Sequence, residues 1–427
     1  MSRIVMKFGG TSVGSVDRIQ NVSNIVKSVY DEGHEVVVVL SAMAGETDRL
    51  INLTKDISDD FNPEEYDVVI SSGEQVSVGL LAATLNENGI GASSCLGWQI
   101  PILTSNDHKS ARIEAIKSEL INKILKDKKV CVIPGFQGIT SEGRVSTLGR
   151  GGSDTSAVAI AAAINADYCD IYTDVDGVYT TDPNKVPEAK RLDKVSYEEM
   201  LEMASLGAKV LQTRSVETAM TNNVALRVLS SFANENKEDA GTIVTEEDAI
   251  NDQRVVTGVT SSLNDCKITL IGVRDKPGIA AKIFSSLSEN NINVDMIVQN
   301  ISESSRTTDI TFTIPKDDLL SAEKIMEQIK DDVPYESLLT DSNIAKISIV
   351  GVGMRSNAGV AAKMFSILSE NDINIDVIST SEIKISILIN NEQAEKAVNM
   401  LHQSLSLIHI SEPTRQAEIS YAVFCLK

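Results

Sequence analysis

Residues 4–14, IVMKFGGTSVG, decide the first half of the fold, because an apolar, β-branched run passes directly into a segment of glycine and hydroxyl residues. Apolar positions at helical spacing follow over residues 17–32, and EVVVVL at 35–40 is typical of a fully buried strand. The same kind of strand returns as VCVI at 130–133 and YCDIY at 168–172, and an alanine-rich helix is predicted between them over 155–166. Strands separated by helical segments predict an α/β fold, a mainly parallel sheet with helices on both faces.

The second half of the chain contains an internal repeat. The matching pairs are ITLIGV (268–273) with ISIVGV (347–352), GIAAKIFSSLSEN (278–290) with GVAAKMFSILSEN (359–371), and NINVD (291–295) with DINID (372–376). Each unit reads as a strand, a glycine-containing loop, an amphipathic helix, a turn and a strand. The repeat predicts two ferredoxin-like βαββαβ modules. The glycine loop before each helix favours a small zwitterion as ligand, and a duplicated scaffold without ligand is the alternative.

The composition excludes several classes of protein. Apolar residues make up 42% of the 427 residues and charged residues 23%, which is typical of a folded chain with more than one domain. The 60 acidic residues outnumber the 39 basic ones, so we expect neither nucleic acid nor a membrane as partner. The five cysteines and four histidines are scattered, which predicts no disulfide framework and no metal site built by the protein. Without an apparent leader, the expected location is cytoplasmic.

Four loops with glycine, hydroxyl or charged residues stand beside predicted strand–helix junctions. They are KFGGTSVG (7–14), SSGEQV (71–76), TLGRGGSDTS (147–156) and TDVDGVYTTDPN (173–184). Glycines let a backbone approach a phosphate closely, and the N-terminus of a helix favours anions. Each loop alone also fits a plain turn or a helix cap, but all four together indicate a binding site for phosphate and a charged small molecule.

These four strings, with the two repeats, resemble the aspartokinase family of the amino-acid kinase superfamily, and the repeats resemble its ACT regulatory modules. The resemblance covers about residues 1–407. It implies an amino-acid kinase (carbamate kinase-like) fold and ATP-dependent phosphorylation of the β-carboxylate of L-aspartate, the first step of lysine, threonine and methionine biosynthesis. ATP is expected to carry Mg²⁺. A carboxylate nucleophile is already ionised at neutral pH, so the reaction needs positioning and charge neutralisation rather than a general base.

The resemblance also implies roles for individual residues. The catalytic candidates are Lys7 and Asp154, and the aspartate-binding candidates are Thr47, Glu74, Arg150 and Ser153. The nucleotide-binding candidates are Lys7, Phe8, Gly9, Gly10, Ser12, Thr173, Asp174, Tyr179, Asp182, Lys185, Lys209 and Val210. The allosteric candidates are Asp275, Gly278, Ile279, Ala280, Asn293, Asp295 and Gln299 in the first module and Asn374, Ile375, Asp376 and Glu382 in the second.

Regulation by lysine, threonine or both is implied at the ACT modules. The second module replaces the loop Asp275–Gly278 by a longer one without the aspartate, so we expect the first module to hold the effector. The chain is expected to form a homo-oligomer through its ACT modules, or a heterotetramer with a shorter regulatory chain.

We expect a catalytic domain over 1–240, a linker with the first regulatory strand over 241–262, and ACT modules over 263–340 and 341–407. Residues 408–427 are expected to be a non-native tail, because SLIHISEPTR at 406–415 resembles a translated sequencing adapter. Two alternative functions are a catalytically silent amino-acid sensor and a kinase for another acyl or carbamoyl group. The intact set of Lys7, Glu74, Arg150 and Asp154 argues against the sensor, and Glu74, suited to an ammonium, argues against the other kinase.

Overall fold

A computed structural model describes residues 1–149, 151–207, 210–232, 241–250, 254–301 and 307–405. The expected tail over 408–427 lies outside these residues. The described residues form two compact units, the first from the ranges 1–178, 191–205 and 209–252 and the second from 179–190, 206–208 and 253–427.

The first unit alternates strands and helices. Its strands are β1 (Arg3–Phe8), β2 (Glu35–Leu40), β3 (Ala92–Ser94), β4 (Ile102–Thr104), β5 (Ile113–Ile116), β6 (Val130–Pro134), β7 (Gln137–Thr140), β8 (Val145–Thr147), β9 (Tyr168–Thr173), β10 (Lys194–Ser196), β11 (Leu226–Ser230) and β12 (Thr242–Thr245). Its helices are α1 (Val16–Asp31), α2 (Glu46–Ile57), α3 (Pro63–Ile70), α4 (Ser72–Glu87), α5 (Glu119–Lys126), α6 (Gly152–Ala163), α7 (Tyr197–Ser205) and α8 (Thr213–Asn222).

The main sheet of this unit has the strand order β10-β12-β11-β9-β1-β2-β6-β3, and a smaller sheet has the order β5-β4-β7-β8. In the main sheet, all neighbouring strands run parallel except β11 and β12. Ile4, Met6 and Phe8 of β1 pack with α1 and α4 on one face, while α6 packs against β1 from the other. The predicted mainly parallel sheet with helices on both faces is confirmed. Because side chains alternate along a strand, Lys7 faces α6.

Among the described residues, the stretch Pro63–Glu87 is long and apolar enough to cross a membrane, judged by length and composition alone. Half of its most apolar window is buried inside the protein. Asp67 and Glu74, both in this stretch, are also buried in the first unit. A pair of core helices, α3 and α4, accounts for this composition.

The second unit consists of two small α/β modules. Its strands are β13 (Gly258–Ser262), β14 (Asp265–Arg274), β15 (Ile297–Ile301), β16 (Thr307–Pro315), β17 (Ser337–Asp341), β18 (Ile344–Val350), β19 (Val377–Thr380) and β20 (Lys384–Asn390). Its helices are α9 (Ile279–Glu289), α10 (Leu319–Gln328), α11 (Val360–Glu370) and α12 (Ala394–Ser404).

The two modules differ in how they obtain their fourth strand. The first uses β14, α9, β15, β16, α10 and β17 in chain order, with the sheet order β15-β16-β14-β17. The second has the sheet order β13-β18-β20-β19, so its fourth strand precedes the whole first module. Both predicted ferredoxin-like modules are present, but the second is not contiguous over 341–407 as expected, because Gly258–Ser262 pairs with β18 along its length.

The structure also changes the expected domain boundaries. The strand β12 pairs with β10 and β11 in the main sheet, so the catalytic unit does not end at residue 240. Residues 179–190 belong to the second unit, where Val186 is buried in the core of the second module. Within that unit, Thr180 Oγ1 lies 2.8 Å from Nε2 of the buried His402 on α12. The backbone carbonyl of Thr180 accepts a hydrogen bond from the N–H of Val259 on β13.

Candidate active site

Lys7 lies near the carboxyl end of β1, and its ammonium is 2.5 Å from Oδ1 of Asp154 in the first turn of α6. The two side chains are only 11% and 10% exposed. Burying two charges costs desolvation energy, which their mutual attraction offsets. Removing one partner would leave the other charge buried and uncompensated. A side chain added at Gly9 would lie 3.6 Å from the Lys7 ammonium, so the glycine leaves one side of that ammonium uncovered. Lys7 is therefore a fixed positive charge with an open side.

The glycine segment after β1 is held tightly by its surroundings. A Cβ at Gly10 would lie 3.0 Å from the Ala42 carbonyl oxygen, so the segment packs directly against the loop after β2. Ser12 is buried, and its hydroxyl is 2.7 Å from that of Ser231 after β11. The buried Phe8 ring stacks on Tyr172 at a centroid distance of 4.5 Å. The side chains of Phe8 and Ser12, both nucleotide-binding candidates, are thus occupied inside the unit, and their backbone is what remains for a ligand.

Glu74 lies in the first turn of α4 and is 3% exposed. Its Oε1 accepts a hydrogen bond of 3.2 Å from the Ala42 N–H, while its Oε2 has no hydrogen-bond partner among the described residues. Burial raises the pKa of Glu74 to about 7. A buried carboxylate oxygen without a donor is costly, and a bound ammonium would satisfy it. Thr47, another aspartate-binding candidate, is half-buried in the first turn of α2, in the segment that follows Ala42.

The loop between β8 and α6 brings the N-terminus of α6 to Lys7. Gly151 caps this helix with φ +72°, and a Cβ there would collide with the side chain of Gln212, so only glycine fits. Helix α6 begins at Gly152, three residues before the predicted helix over 155–166. Ser153 is buried against Gly135, where an added Cβ would approach Ser153 Cβ to 2.7 Å. Arg150, predicted to bind the aspartate carboxylate, lies outside the described residues.

The carboxyl end of β9, the strand beside β1, supplies the nucleotide-binding candidates Thr173 and Asp174. Thr173 Oγ1 donates to Asp174 Oδ1 at 3.0 Å, and the Thr173 carbonyl accepts from the Ser231 N–H at 2.9 Å. The strand β9 pairs in parallel with β1, with Tyr172 opposite Phe8. In the strand order β11-β9-β1-β2, the chain continues from β1 to β2 on one side and from β9 towards β11 on the other, and α/β sheets bind ligands at such a switch point between two strands. Lys7, Glu74 and Thr173 therefore belong to one end of the sheet.

The structure does not place all nucleotide-binding candidates in the first unit. Tyr179, Asp182 and Lys185 belong to the second unit. There Lys185 Nζ lies 3.3 Å from Ser261 Oγ, and Asp182 Oδ1 accepts from the Asn184 N–H at 2.9 Å. Val210 is half-buried in the first unit. Lys209 lies outside the described residues.

The allosteric candidates of the two modules contain an unpredicted symmetry. Lys346 of β18 lies 2.5 Å from Asp295 Oδ2, and Lys267 of β14 lies 2.9 Å from Asp376 Oδ2. Each lysine thus pairs with an aspartate of the other module. Sequence reasoning selected the two aspartates and missed the lysines, although Lys267 and Lys346 are equivalent positions of the repeat. A polar cavity of about 300 Å³ lies beside the second pair and is lined by Asp341, Asn343, Asn374, Asp376, Asn390 and Gln393.

The remaining allosteric candidates are mostly at the surface of the described second unit. Asp275 and Gly278 lie in the exposed loop before α9, whose first residues are Ile279 and Ala280. Asn293 and Gln299 are exposed as well. In the second module, Ile375 is half-buried, and Glu382 Oε2 lies 3.4 Å from Nε of Arg355.

Comparisons with known proteins agree with this architecture. Residues 2–230 match the amino acid kinase family, and residues 268–328 and 347–405 match the ACT domain. An aspartate kinase from Pseudomonas fluorescens (strain SBW25) is 52% identical over 421 residues, which cover 98% of this chain and 100% of that protein. Aspartokinase 2 of Bacillus subtilis (strain 168) is 44% identical over 407 residues, with 95% and 98% covered.

Two solved structures of E. coli aspartokinase III are similar over 94% of this chain and 99% of theirs, at 27% identity. The complex with aspartate and ADP, described as the R-state, has a TM-score of 0.79. The complex with lysine and aspartate, described as the T-state, has a TM-score of 0.74.

Proposed function

The chain belongs to the aspartokinase family, and we propose that its reaction takes place at the carboxyl ends of β1, β2 and β9. It catalyses ATP-dependent phosphorylation of the L-aspartate β-carboxylate to 4-phospho-L-aspartate, which opens the biosynthesis of lysine, threonine and methionine. The observation that carries the proposed site is the buried pair of Lys7 and Asp154, at the same sheet end as the unpartnered oxygen of Glu74.

We assign transition-state stabilisation to Lys7. A β-carboxylate oxygen of aspartate attacks the γ-phosphorus as the bond to the bridging oxygen breaks, and ADP leaves with that electron pair. Negative charge then lies on the equatorial oxygens, where a preorganised cation is most effective. Asp154 holds the Lys7 ammonium in place. The Gly10 N–H is proposed as a further donor, whereas the Gly9 N–H already donates to the Tyr172 carbonyl.

Mg²⁺ is proposed to enter with the nucleotide and to neutralise the β- and γ-phosphate oxygens. The described residues contain no group of three or more His, Cys, Asp or Glu that would hold a metal ion. Asp174, exposed at the end of β9, is the carboxylate we place on the nucleotide side.

For aspartate, we propose that Glu74 binds the ammonium group. The unpartnered Oε2 supports this role, because an ammonium would satisfy it and favour the ionised carboxylate. Thr47 and Ser153 would add hydroxyl contacts. Arg150 is retained as the partner of the α-carboxylate on the strength of the GRGGSD motif alone.

For the nucleotide, Thr173, Asp174 and Val210 are proposed from the first unit, together with Lys209. Tyr179, Asp182 and Lys185 of the segment 179–190 are retained as nucleotide-binding candidates on the family resemblance alone.

Regulation is proposed at the ACT modules, with lysine, threonine or both as effectors. The loop Asp275–Gly278 and the N-terminus of α9 suit an α-carboxylate. Asp295 suits an ammonium, which would have to compete with Lys346. Assembly through the ACT modules, as a homo-oligomer or with a shorter regulatory chain, is proposed on the same family resemblance, as is a cytoplasmic location.

A coupled assay of ADP release tests the proposal. Aspartate is offered beside glutamate, N-acetylglutamate and carbamate, and hydroxylamine traps the acyl phosphate as a hydroxamate. We expect turnover and hydroxamate with aspartate and little with the others. Amino-acid binding without ADP release would instead support a silent sensor, and preference for carbamate or N-acetylglutamate would support the other kinase class.

A further inference from the structure

Asp67, in the second half of α3, is 0% exposed and receives four donors. Thr147 donates through Oγ1 to Oδ1 at 2.6 Å and through its N–H to Oδ2 at 3.1 Å. The Lys109 N–H donates to Oδ1 at 3.1 Å, and Nδ1 of His108 lies 2.7 Å from Oδ2, where its N–H tautomer donates. A buried carboxylate is tolerated when its oxygens are satisfied in this way.

The donors come from the two segments that hold the β8–α6 loop. Thr147 ends β8, and the stretch Gly149–Ser153, which contains the aspartate-binding candidates Arg150 and Ser153, begins two residues later. Lys109 supports that stretch, because a Cβ at Gly149 would lie 3.1 Å from the Lys109 carbonyl oxygen. Lys109 itself has φ +68°, an unfavourable conformation for a lysine, which persists only when its surroundings fix it. Asp67 is the acceptor that holds its N–H.

The same carboxylate is rigidly connected to Glu74. Helix α3 ends at Ile70 and α4 begins at Ser72, so Asp67 and Glu74 lie two helical turns apart along almost continuous helix. Gln137 Nε2 donates to the Ser71 carbonyl at the junction, at 2.9 Å. Asp67 therefore connects the helix that carries the proposed ammonium ligand to the loop that carries the proposed carboxylate ligands.

We propose that Asp67 is a positioning residue that sets the spacing between Glu74 and the β8–α6 loop, and with it the length of amino acid that fits. This inference rests on the proposed aspartate-binding roles of those two elements. A looser loop would weaken aspartate binding and reduce the discrimination against glutamate, which is one methylene longer. None of the four donors of Asp67 comes from β9, which carries the nucleotide candidate Thr173, so ATP use should change little.

The test is steady-state kinetics of the full chain carrying Asp67→Asn, which turns one acceptor oxygen into a donor facing other donors. We expect the KM for aspartate to rise about tenfold, since one or two hydrogen bonds to a charged group are lost. The KM for ATP should stay within about twofold, and the preference for aspartate over glutamate should fall. Thr147→Val, which removes one donor and keeps the carboxylate, should shift the same quantities less, and Thr147→Ser should restore them.

The matched control is Asp170→Asn. Asp170 is an equally buried carboxylate of the same unit, held by Arg227 at 2.7 Å through both oxygens. The Asp170→Asn variant should have a lower melting temperature, but its KM for aspartate should not rise relative to its KM for ATP. If Asp67→Asn and Thr147→Val lower stability but leave the KM for aspartate unchanged, or raise both KM values equally, the positioning role is overturned. If the wild-type chain itself fails to phosphorylate aspartate, the proposed function fails instead.

Discussion

Glu74 of the first unit and the effector candidates of the second unit differ in how their carboxylates are satisfied. In the first unit, Glu74 is buried with one oxygen unpartnered, and burial raises its pKa to about 7. In the second unit, Asp295 and Asp376, which the repeat singled out for effectors, already pair with Lys346 and Lys267. An unpaired buried charge is a costly feature that a ligand relieves, whereas a paired one joins two parts of a structure. The contrast separates the carboxylate that we propose to bind the ligand from carboxylates that link the two modules.

The two links are themselves unequal. Lys346 has a 4% exposed side chain and faces both Asp295 and Asp265, the latter at 3.4 Å. Lys267 is 20% exposed and faces Asp376 and, at 3.7 Å, Asp341. A duplicated motif has thus given one link with a buried lysine and one with a more accessible lysine, although Asp295 itself is 45% exposed and Asp376 is 34% exposed.

The largest effect on turnover should come from Lys7 in the first unit. Replacing Lys7 by alanine removes a preorganised cation from the transferring phosphoryl group, so kcat should fall by about 10²–10³, or about 2.7–4 kcal/mol. Circular dichroism should show a folded protein. The matched control is Lys27→Ala on α1, an exposed lysine that pairs with Asp31 at 2.9 Å, which should leave kcat unchanged. Near wild-type turnover by Lys7→Ala would remove Lys7 from the mechanism.

The next effect concerns Glu74→Gln, which keeps the shape and removes the charge. The KM for aspartate should rise about tenfold to a hundredfold, because an ammonium loses a charged partner, while the KM for ATP should change little. An equal rise in the KM for aspartate and in the KM for ATP would contradict the proposal that Glu74 binds the ammonium group of aspartate.

The same variant should alter the dependence on pH. Since the pKa of free Glu74 is raised to about 7, the ammonium-binding form gains population as pH rises, and the wild-type KM for aspartate should fall between about pH 6 and pH 8. The raised pKa also means that Glu74 favours folding at low pH and that this contribution is lost as pH rises through about 7. Both trends should weaken in Glu74→Gln, and an unchanged pH profile would contradict the role of its carboxylate.

The smallest effects belong to the links in the second unit. Lys346→Ala removes a lysine whose side chain is 4% exposed and leaves the largely buried Asp265 without this partner, so the free energy of unfolding should fall by about 1–3 kcal/mol. Lys267→Ala, at the more accessible site, should cost less than about 1 kcal/mol. Urea unfolding of the full chain, with hydrogen exchange read at β14 and β18, measures both. Equal losses would show that the two links are equivalent after all.

Local patterns in the sequence are enough to predict the central strands and the candidate charges around Lys7. Buried parallel strands have continuous apolar runs, and several glycine loops beside such strands are together typical of a phosphate-binding site. The sequence places the start of α6 too late, because GGSDTS is typical of a loop, whereas in the structure Gly151 caps the helix.

Long-range pairing is what the sequence does not predict. Nothing in Gly258–Ser262 indicates that it completes the second module rather than the first. Residues 179–190 look like a turn-rich loop, and long-range contacts of Val186 and Thr180, which the sequence does not indicate, show that they belong to the second unit. Asp67 resembles an ordinary solvated helix charge, since its donors come from positions 108, 109 and 147.

The most direct test of the central claim is proton release when aspartate binds. Calorimetric titrations of aspartate into the full chain, near neutral pH and in two buffers of different ionisation enthalpy, give the number of protons exchanged. If the substrate ammonium meets Glu74, whose pKa in the free protein is about 7, the wild type should release a fraction of a proton that Glu74→Gln does not release. Identical proton release by the two proteins would contradict the claim that Glu74 binds the ammonium.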